Sequence, residues 1–430
     1  ESSGEDYGPT RGWSISDGRV AAFTDSLPVL ELRRLWGGRR LYLHNAKHDL
    51  PRFLINHWDL NSWEDTMLMS YNLRFPLVSL AEVGYQLTGI RKEAYLAMLK
   101  RVGVKTQGKG ATRDFASALQ KDRPAAERYA AEDALVTARI APLLEGLLAS
   151  QPMTASHYRE LDKPFLPILL DMETRGVRIN EASLRAAQAQ LHEEWDLCLR
   201  DLHQLTGREI NPEARAQVLA GLKCLGLSTR RVTKTGLPSV DEAALLEVAG
   251  VTNKEQLRGR HSAATLYVRP VLRARELQKL EATYILGIMD RLDQHNRIHT
   301  RLNQCVTATG RLSSSAPNLQ NIPHPENGPA GVLLRRAFIA SPGCVIMTAD
   351  FSQLEFRIFA HYTQDPTLLY AFTHGVDVHT MAAETLFGEA TPKARKITKN
   401  CNYALMYGAA EQKLAETAGL GREEGARFLR

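Results

Sequence analysis

Arg395, Lys399, Tyr403 and Tyr407 recur at intervals of four in the stretch ARKITKNCNYALMYG, residues 394–408. Each step of four turns an α-helix by about 400°, so the four side chains drift by only about 120° and form one stripe. From Pro392 to Ala410 there are four cations (Lys393, Arg395, Lys396 and Lys399) and no acid. Cations at the start of such a stripe and aromatics beyond it suit a chain of phosphates at one end and a flat base at the other. The positive end of the helix dipole adds to the attraction for anions. A helix packed on a core shows a similar period, and for the stripe taken alone that reading is favoured.

Two segments before it narrow the choice. In TADFSQLEFRIFAH, residues 348–361, the apolar run Cys344–Ala349 reads as a buried strand ending at Asp350. Gln353, Glu355 and Arg357 follow it. A carboxylate at a strand end suits a divalent ion, with the carbonyl of the next residue, Phe351, as a further ligand. A lone Asp there is more often a cap or a turn. In TATGRLSSSAPNLQNIP, residues 307–323, a polar run contains Arg311, Asn318, Gln320 and Asn321. Such side chains donate to acceptors that every base pair shows in the minor groove. Between Arg297 and Ala349 five arginines face the single acid Glu326, a net of +4.

The N-terminal part carries spaced carboxylates. Residues 1–150 read as α/β, with strand-like runs Gly12–Ser16, Val20–Thr24 and Leu41–His44. Helical patterns follow at Asp65–Leu73, Ser79–Leu87 and Ala125–Leu148. Asn45 and Asp49 lie in HNAKHD, Tyr129 and Asp133 in YAAED, and Glu1 opens the chain in ESSG. Carboxylates gathered from separate elements can hold two divalent metals for phosphodiester hydrolysis. Tyr129, four residues before Asp133, shares its helix face. Residues 153–300 read as mostly helical, with long patterns over Ala182–Leu205 and Leu257–Asp293 and a turn at Lys234–Pro238.

Composition sets the outer bounds. At 430 residues the chain has room for roughly three domains. Hydrophobic residues at 44% and charged residues at 24% exclude disorder or a fibrous architecture as the whole account. A net charge of +6 permits a nucleic-acid partner without demanding one. Five widely spaced cysteines with no Cys-x-x-Cys pair read as reduced thiols in a cytoplasm-like compartment. No apolar run reaches the ~18 residues of a membrane span.

Residues 307–323, 348–361 and 394–408 together resemble the polymerase motifs of family A, DNA polymerase I-like DNA polymerases. Asp-x-x-Gln-x-Glu-x-Arg is similar to motif A, with Phe351, Leu354 and Phe356 at packing positions. Arg-x-x-x-Lys-x-x-x-Tyr-x-x-x-Tyr-Gly is similar to motif B of the fingers helix, with Ala404 where Gly is common. The segments DMETRGVRIN, TKTGLPS and RELQKLEATY resemble the palm entry and thumb. Glu1, Asn45–Asp49 and Tyr129–Asp133 resemble the three motifs of the 3′→5′ proofreading exonuclease of that family.

The resemblance implies an α/β chain. A ribonuclease H-like exonuclease domain over 1–150 would precede a right-hand polymerase. Palm entry and helical thumb would span 151–300, palm 301–390 and fingers 391–430. It implies template-directed DNA synthesis from deoxynucleoside triphosphates with proofreading. Asp350 and Phe351 would bind the catalytic Mg²⁺ ions, with Mn²⁺ as a substitute. Gln353, Glu355, His379, Arg395, Lys399, Tyr403 and Tyr407 would bind the nucleotide, Glu355 shutting out a 2′-hydroxyl and Lys399 giving a proton to pyrophosphate. Arg311, Asn318, Gln320 and Asn321 would contact primer–template DNA. In the exonuclease, Glu1, Asp49 and Asp133 would bind metal, Tyr129 would orient water and Asn45 would lie near the substrate strand. Asp65 matches a family segment with a structural role. The family's first exonuclease Asp would precede Glu1 and its second palm Asp would follow Arg430. The expectation is therefore a fragment, or one subunit of a split polymerase completed by a second polypeptide. An exonuclease-only or purely DNA-binding subunit is the alternative. A processivity partner fits either reading.

Overall fold

The structure is a computed structural model that describes residues 13–25, 31, 34, 39–55, 62–106, 115–323, 329–410 and 414. Glu1 lies outside them, as does most of the chain after Ala410. The chain divides into two compact units, Glu1–Val345 and Ile346–Arg430.

The first unit opens with a hairpin of β1 (Trp13–Ser16) and β2 (Ala21–Thr24). Its turn is closed by Asp17, whose Oδ1 accepts the amides of Arg19 and Val20. Next, β3 (Leu41–Leu43) leads into α1 (Ala46–Ile55), and β4 (Trp63–Asp65) returns parallel to β3. The buried carboxylate of Asp65 accepts the amides of Asn45 and Ala46, which open α1. It also accepts those of Met67 and Leu68, which open α2 (Thr66–Asn72). One side chain thus satisfies two helix N-termini that burial would otherwise leave unpaired. This is the structural role expected of Asp65.

Helices α3 (Leu80–Thr88), α4 (Tyr95–Arg101) and α5 (Phe115–Lys121) precede α6 (Arg123–Ala149). Asp122 caps α6, and Pro124 sits in its first turn. Val136, Ile140, Leu144 and Leu148 recur every four residues and form its buried stripe. They pack with Leu68, Met69 and Val83, so Leu144→Ala would cost about 2–5 kcal/mol. Gly84 lets α3 close on α6, because a Cβ there would lie 2.5 Å from Val136 Cγ1.

After α7 (Pro152–His157) and a π-helical turn at Tyr158–Asp162 comes α8 (Lys163–Arg175). Buried charges tie this region to the first. Glu64 receives Arg40, Lys163 and the Tyr158 hydroxyl at 2.7, 3.0 and 2.7 Å. Glu173 receives Lys47 at 2.6 Å. Strand β5 (Val177–Ile179) leads to α9 (Glu181–Thr206), capped by Asn180 and ended by Gly207 in the left-handed region. Helices α10 (Arg215–Cys224) and α11 (Glu242–Val248) pack with α12 (Ala263–Leu280) around Leu222, Leu245 and Tyr267. The expected turn at Lys234–Pro238 is present, closed by a bridge between Val232 and Pro238. The expected long helix Leu257–Asp293 is interrupted. α12 passes into a π-helical stretch at Glu281–Leu286 and then α13 (Gly287–Met289).

A three-stranded antiparallel sheet completes the unit, in the order β6 (Arg297–Ile298), β5, β9 (Phe338–Ile339). Beside it, β7 (Arg301–Asn303) pairs with β8 (Ser313–Ser315), and α14 (Pro329–Arg336) leads into β9. These short strands are not legible as alternating patterns in the sequence.

The second unit contains α15 (Leu354–Thr363), α16 (Pro366–Thr373), α17 (Val378–Phe387) and α18 (Pro392–Met406). The expected buried strand Cys344–Ala349 is not formed. Val345 and Met347 are 88% and 86% exposed, and no strand among the described residues pairs with this run. A strand without a neighbour leaves its backbone to water, so apolar content alone does not make one. All five cysteines are free thiols. Among the described residues no helix is long and apolar enough to cross a membrane.

Candidate functional site

The expected nucleotide-binding residues converge in the second unit on three ring-bearing helices. Phe356 of α15 meets the Tyr403 ring of α18 edge-on at 5.0 Å and the His379 ring of α17 at 5.2 Å. The stripe thus packs one aromatic, Tyr403, and leaves the other, Tyr407, exposed. Tyr407 is exposed and donates to Glu355 Oε1 at 3.0 Å. That bond fixes the carboxylate expected to guard the sugar.

His379 is buried. Its Nδ1 lies 3.3 Å from Asn402 Nδ2, and its Nε2 has no hydrogen-bond partner. Burial lowers the imidazole pKa; the Asp377 charge opposes this in part, and Arg395 and Lys399 lower it further. It stays neutral near pH 7, leaving one nitrogen available to a ligand.

Arg395 is held by Asp377 through Nε at 3.0 Å and Nη2 at 2.5 Å. The same carboxylate caps α17 through the amides of His379 and Thr380. Burial pushes the Asp377 carboxyl up, but Arg395 and the two amides outweigh it and hold it below the usual range. Lys399, one turn on, is exposed with no ion pair among the described residues. Phe356, a packing position in the motif A resemblance, packs on these rings, whereas Asp377 and Asn402 are not singled out by the sequence. Of the two only Asp377 had a signal, as an Asp directly before a helical pattern.

Asp350 and Phe351 lead into α15 as exposed residues rather than from a strand end. The Asp350 carboxylate has no ion-pair partner among the described residues, a donor chemistry that fits a divalent cation. Gln353 opens α15 in the left-handed region, with its Oε1 buried and unpartnered.

In the first unit, Arg311, Asn318, Gln320 and Asn321 are all exposed. Of the polar run 307–323, only Ser314 is buried. Asn318 caps the turn Leu319–Asn321 through the Gln320 amide, and Gln320 Nε2 donates to the Leu312 carbonyl at 3.2 Å. The Tyr284 hydroxyl donates to the Asn321 carbonyl. The run is thus a braced, solvent-facing platform. Of the nearby arginines, Arg297 is spent on the Arg175 and Gly176 carbonyls and Ser341. Arg301 and Arg336 face solvent.

The N-terminal carboxylates are arranged differently. Asp49 lies 3.3 Å from His48 Nδ1. Asn45 takes a positive φ of 70° at the entrance to α1. Asp133 is ion-paired at 2.7 Å with Lys92, a residue that no motif in the sequence singles out. Burial pushes the Asp133 carboxyl up, and Lys92 only partly offsets this. The Tyr129 phenol is pushed up by burial and then by the Asp133 charge. Among the described residues, no three of His, Cys, Asp and Glu lie together as a metal would need. Glu1, expected as a third ligand, lies outside those residues.

Comparison with known proteins agrees with the C-terminal half of this picture. The model of DNA polymerase family A matches residues 181–430. DNA polymerase I of Rhizobium leguminosarum is 31% identical over 98% of the chain. The thermostable DNA polymerase I of Thermus aquaticus is 36% identical over 70% of it. The chain spans 40% and 35% of the lengths of these two relatives. The POL domain of Pol1 from M. smegmatis, solved in complex with DNA primer-template and dNTP, superposes with a TM-score of 0.74 at 25% identity. That match covers 95% of this chain and 66% of the other. The chain belongs to DNA polymerase family A.

Proposed function

We propose that the protein carrying this chain performs template-directed DNA synthesis from deoxynucleoside triphosphates. One observation carries the reading: α18 presents Arg395, Lys399, Tyr403 and Tyr407 beside His379 and Glu355, all within one unit. Arg395 and Lys399 would hold the triphosphate, and Lys399 would give a proton to the leaving pyrophosphate. Tyr403 would lie against the base. Glu355, braced by Tyr407, would exclude a 2′-hydroxyl. Asp350 and the Phe351 carbonyl would hold Mg²⁺ or Mn²⁺, which would neutralise developing phosphate charge and align the primer hydroxyl. Arg311, Asn318, Gln320 and Asn321 would follow the primer–template duplex.

Primer extension by the full-length protein with Mg²⁺ tests the proposal. Extension is expected, and Asp350→Ala should abolish it. Extension retained in that variant would sink the assignment of Asp350. A wild-type protein that binds primer–template but never extends it would favour a DNA-binding subunit instead.

A ribonuclease H-like ancestry for the N-terminal region is supported by its hairpin, its parallel β3–β4 pair and the long helix bearing Tyr129 and Asp133. Proofreading by that region would need a metal at Asp133, whose carboxylate is paired with Lys92.

A further inference from the structure

The residues of the N-terminal cluster do not fit a divalent ion, and the misfit has a specific cause. Between α3 and α4 the Lys92 side chain turns inward until it is 3% exposed. Its Nζ stands 2.7 Å from Asp133 Oδ1 and 3.4 Å from the centroid of the Tyr129 ring. The carbonyl of Glu93 lies 3.3 Å away on the same nitrogen. An ammonium has three donor directions, and here a carboxylate, a π face and a carbonyl meet them. Burying that charge without such partners would be strongly unfavourable, so the cage is what lets Lys92 stay inside.

A divalent ion on Asp133 would have to share its carboxylate with a full positive charge already at hydrogen-bond distance. Like charges that close repel, and with Asp133 36% exposed solvent weakens that repulsion without removing it. The same ammonium covers the Tyr129 ring, whose hydroxyl the resemblance assigns to orienting a water. Around them, Met98, Leu99, Val104 and Ala126 form a small apolar core with Tyr95 and Tyr129.

We infer that Lys92 supplies the cation of this cluster, so that Asp133 and Tyr129 are organised around an internal ammonium and no divalent ion binds at Asp133. The cluster ties the segment between α3 and α4 to α6. It uses no residue of the C-terminal unit, so it stands or falls separately from polymerisation.

The test maps metal binding directly on the full-length protein. Fe²⁺, with ascorbate and peroxide, cuts the backbone beside any site that holds it. Wild type should show no cuts centred on residues 129–133, and Asp133→Asn should give the same map. Lys92→Met, which keeps the stem and removes the charge, should melt about 3 °C or more below wild type. Cuts centred on 129–133 that vanish in Asp133→Asn would overturn the inference. So would a Lys92→Met protein that melts with wild type. Should Lys92→Met fail to fold, the wild-type and Asp133→Asn maps still decide between an ammonium and a metal.

Discussion

The chain holds two clusters of charged and aromatic side chains on long helices, and they treat charge in opposite ways. On α18 one stripe cation, Arg395, is answered by Asp377, and the next, Lys399, looks outward. Lys399 is exposed and unpaired among the described residues, and Asp350 is an exposed carboxylate with no ion-pair partner there. On α6 the charge looks inward. Asp133 is answered at 2.7 Å by Lys92, and Tyr129 lies under the same ammonium. A site that awaits a ligand leaves charge unsatisfied in the free protein, whereas a structural cluster closes on itself. Both clusters carry residues that a motif comparison would mark as functional. Only their partners separate them.

The sharpest way to break the comparison is at Asp350. Asp350→Ala should lower primer extension by at least about 10²–10³-fold, while Asp133→Asn leaves it within twofold. Next comes Arg395→Ala. Losing one charge-assisted hydrogen bond to a phosphate costs about 1.5–3 kcal/mol, so KM for the nucleotide should rise about 10–100-fold in steady-state kinetics. Asp377→Asn keeps the cap on α17 but loosens Arg395, and should move the same KM only a few-fold.

Glu355→Ala removes both the carboxylate and the acceptor of Tyr407. Ribonucleotide incorporation relative to deoxyribonucleotide should rise about tenfold, read by competition in single-nucleotide extension. In the inward cluster the readout is stability. Lys92→Met should cost about 1–3 kcal/mol in denaturant melts, below the range for a fully buried pair because Asp133 remains 36% exposed.

The smallest effect concerns pH. Burial pushes the His44 imidazole down to about 4, against about 6.5 in the unfolded chain. Between those values the unfolded chain binds the extra proton and the fold does not. The contribution of His44 is therefore present above pH ~6.5 and is lost as pH falls toward 4. Asp65, pushed up to about 6 by burial, runs the other way over much of that range. Comparing wild type with His44→Gln cancels the Asp65 part, and the two stability curves should converge on acidification. Parallel curves would remove the role given to His44.

Much of the helical architecture is legible in the spacing of apolar residues. The stripe on α6 and the pattern Ala182–Leu205 appear as helices within one or two residues of their expected bounds, because a 3.6-residue period of apolar side chains has few other uses. The strand expected at Cys344–Ala349 shows the opposite case. Its residues are apolar enough, but a strand is defined by its neighbour, and composition does not name the neighbour. Strands β5, β6 and β9 escape a reading of the sequence for the same reason. Each is two or three residues long, and long-range pairing alone makes it a strand.

The site is legible where function rests on a pattern within one helix. Arg395, Lys399, Tyr403 and Tyr407 are fixed relative to one another by helix geometry, so their order in the sequence already contains their arrangement. Asp350, Glu355 and His379 stand out by resemblance. What the sequence could not contain was the partner of each charge. Asp377 lies 18 residues before Arg395, and Lys92 lies 41 residues before Asp133. Neither spacing has a period that would betray the contact. The sequence by itself determined the helices, the family and the cationic stripe, because these depend on local geometry. Only the tertiary structure pairs Asp133 with Lys92 and leaves Asp350 without an ion-pair partner among the described residues, because an ion pair depends on distance in space.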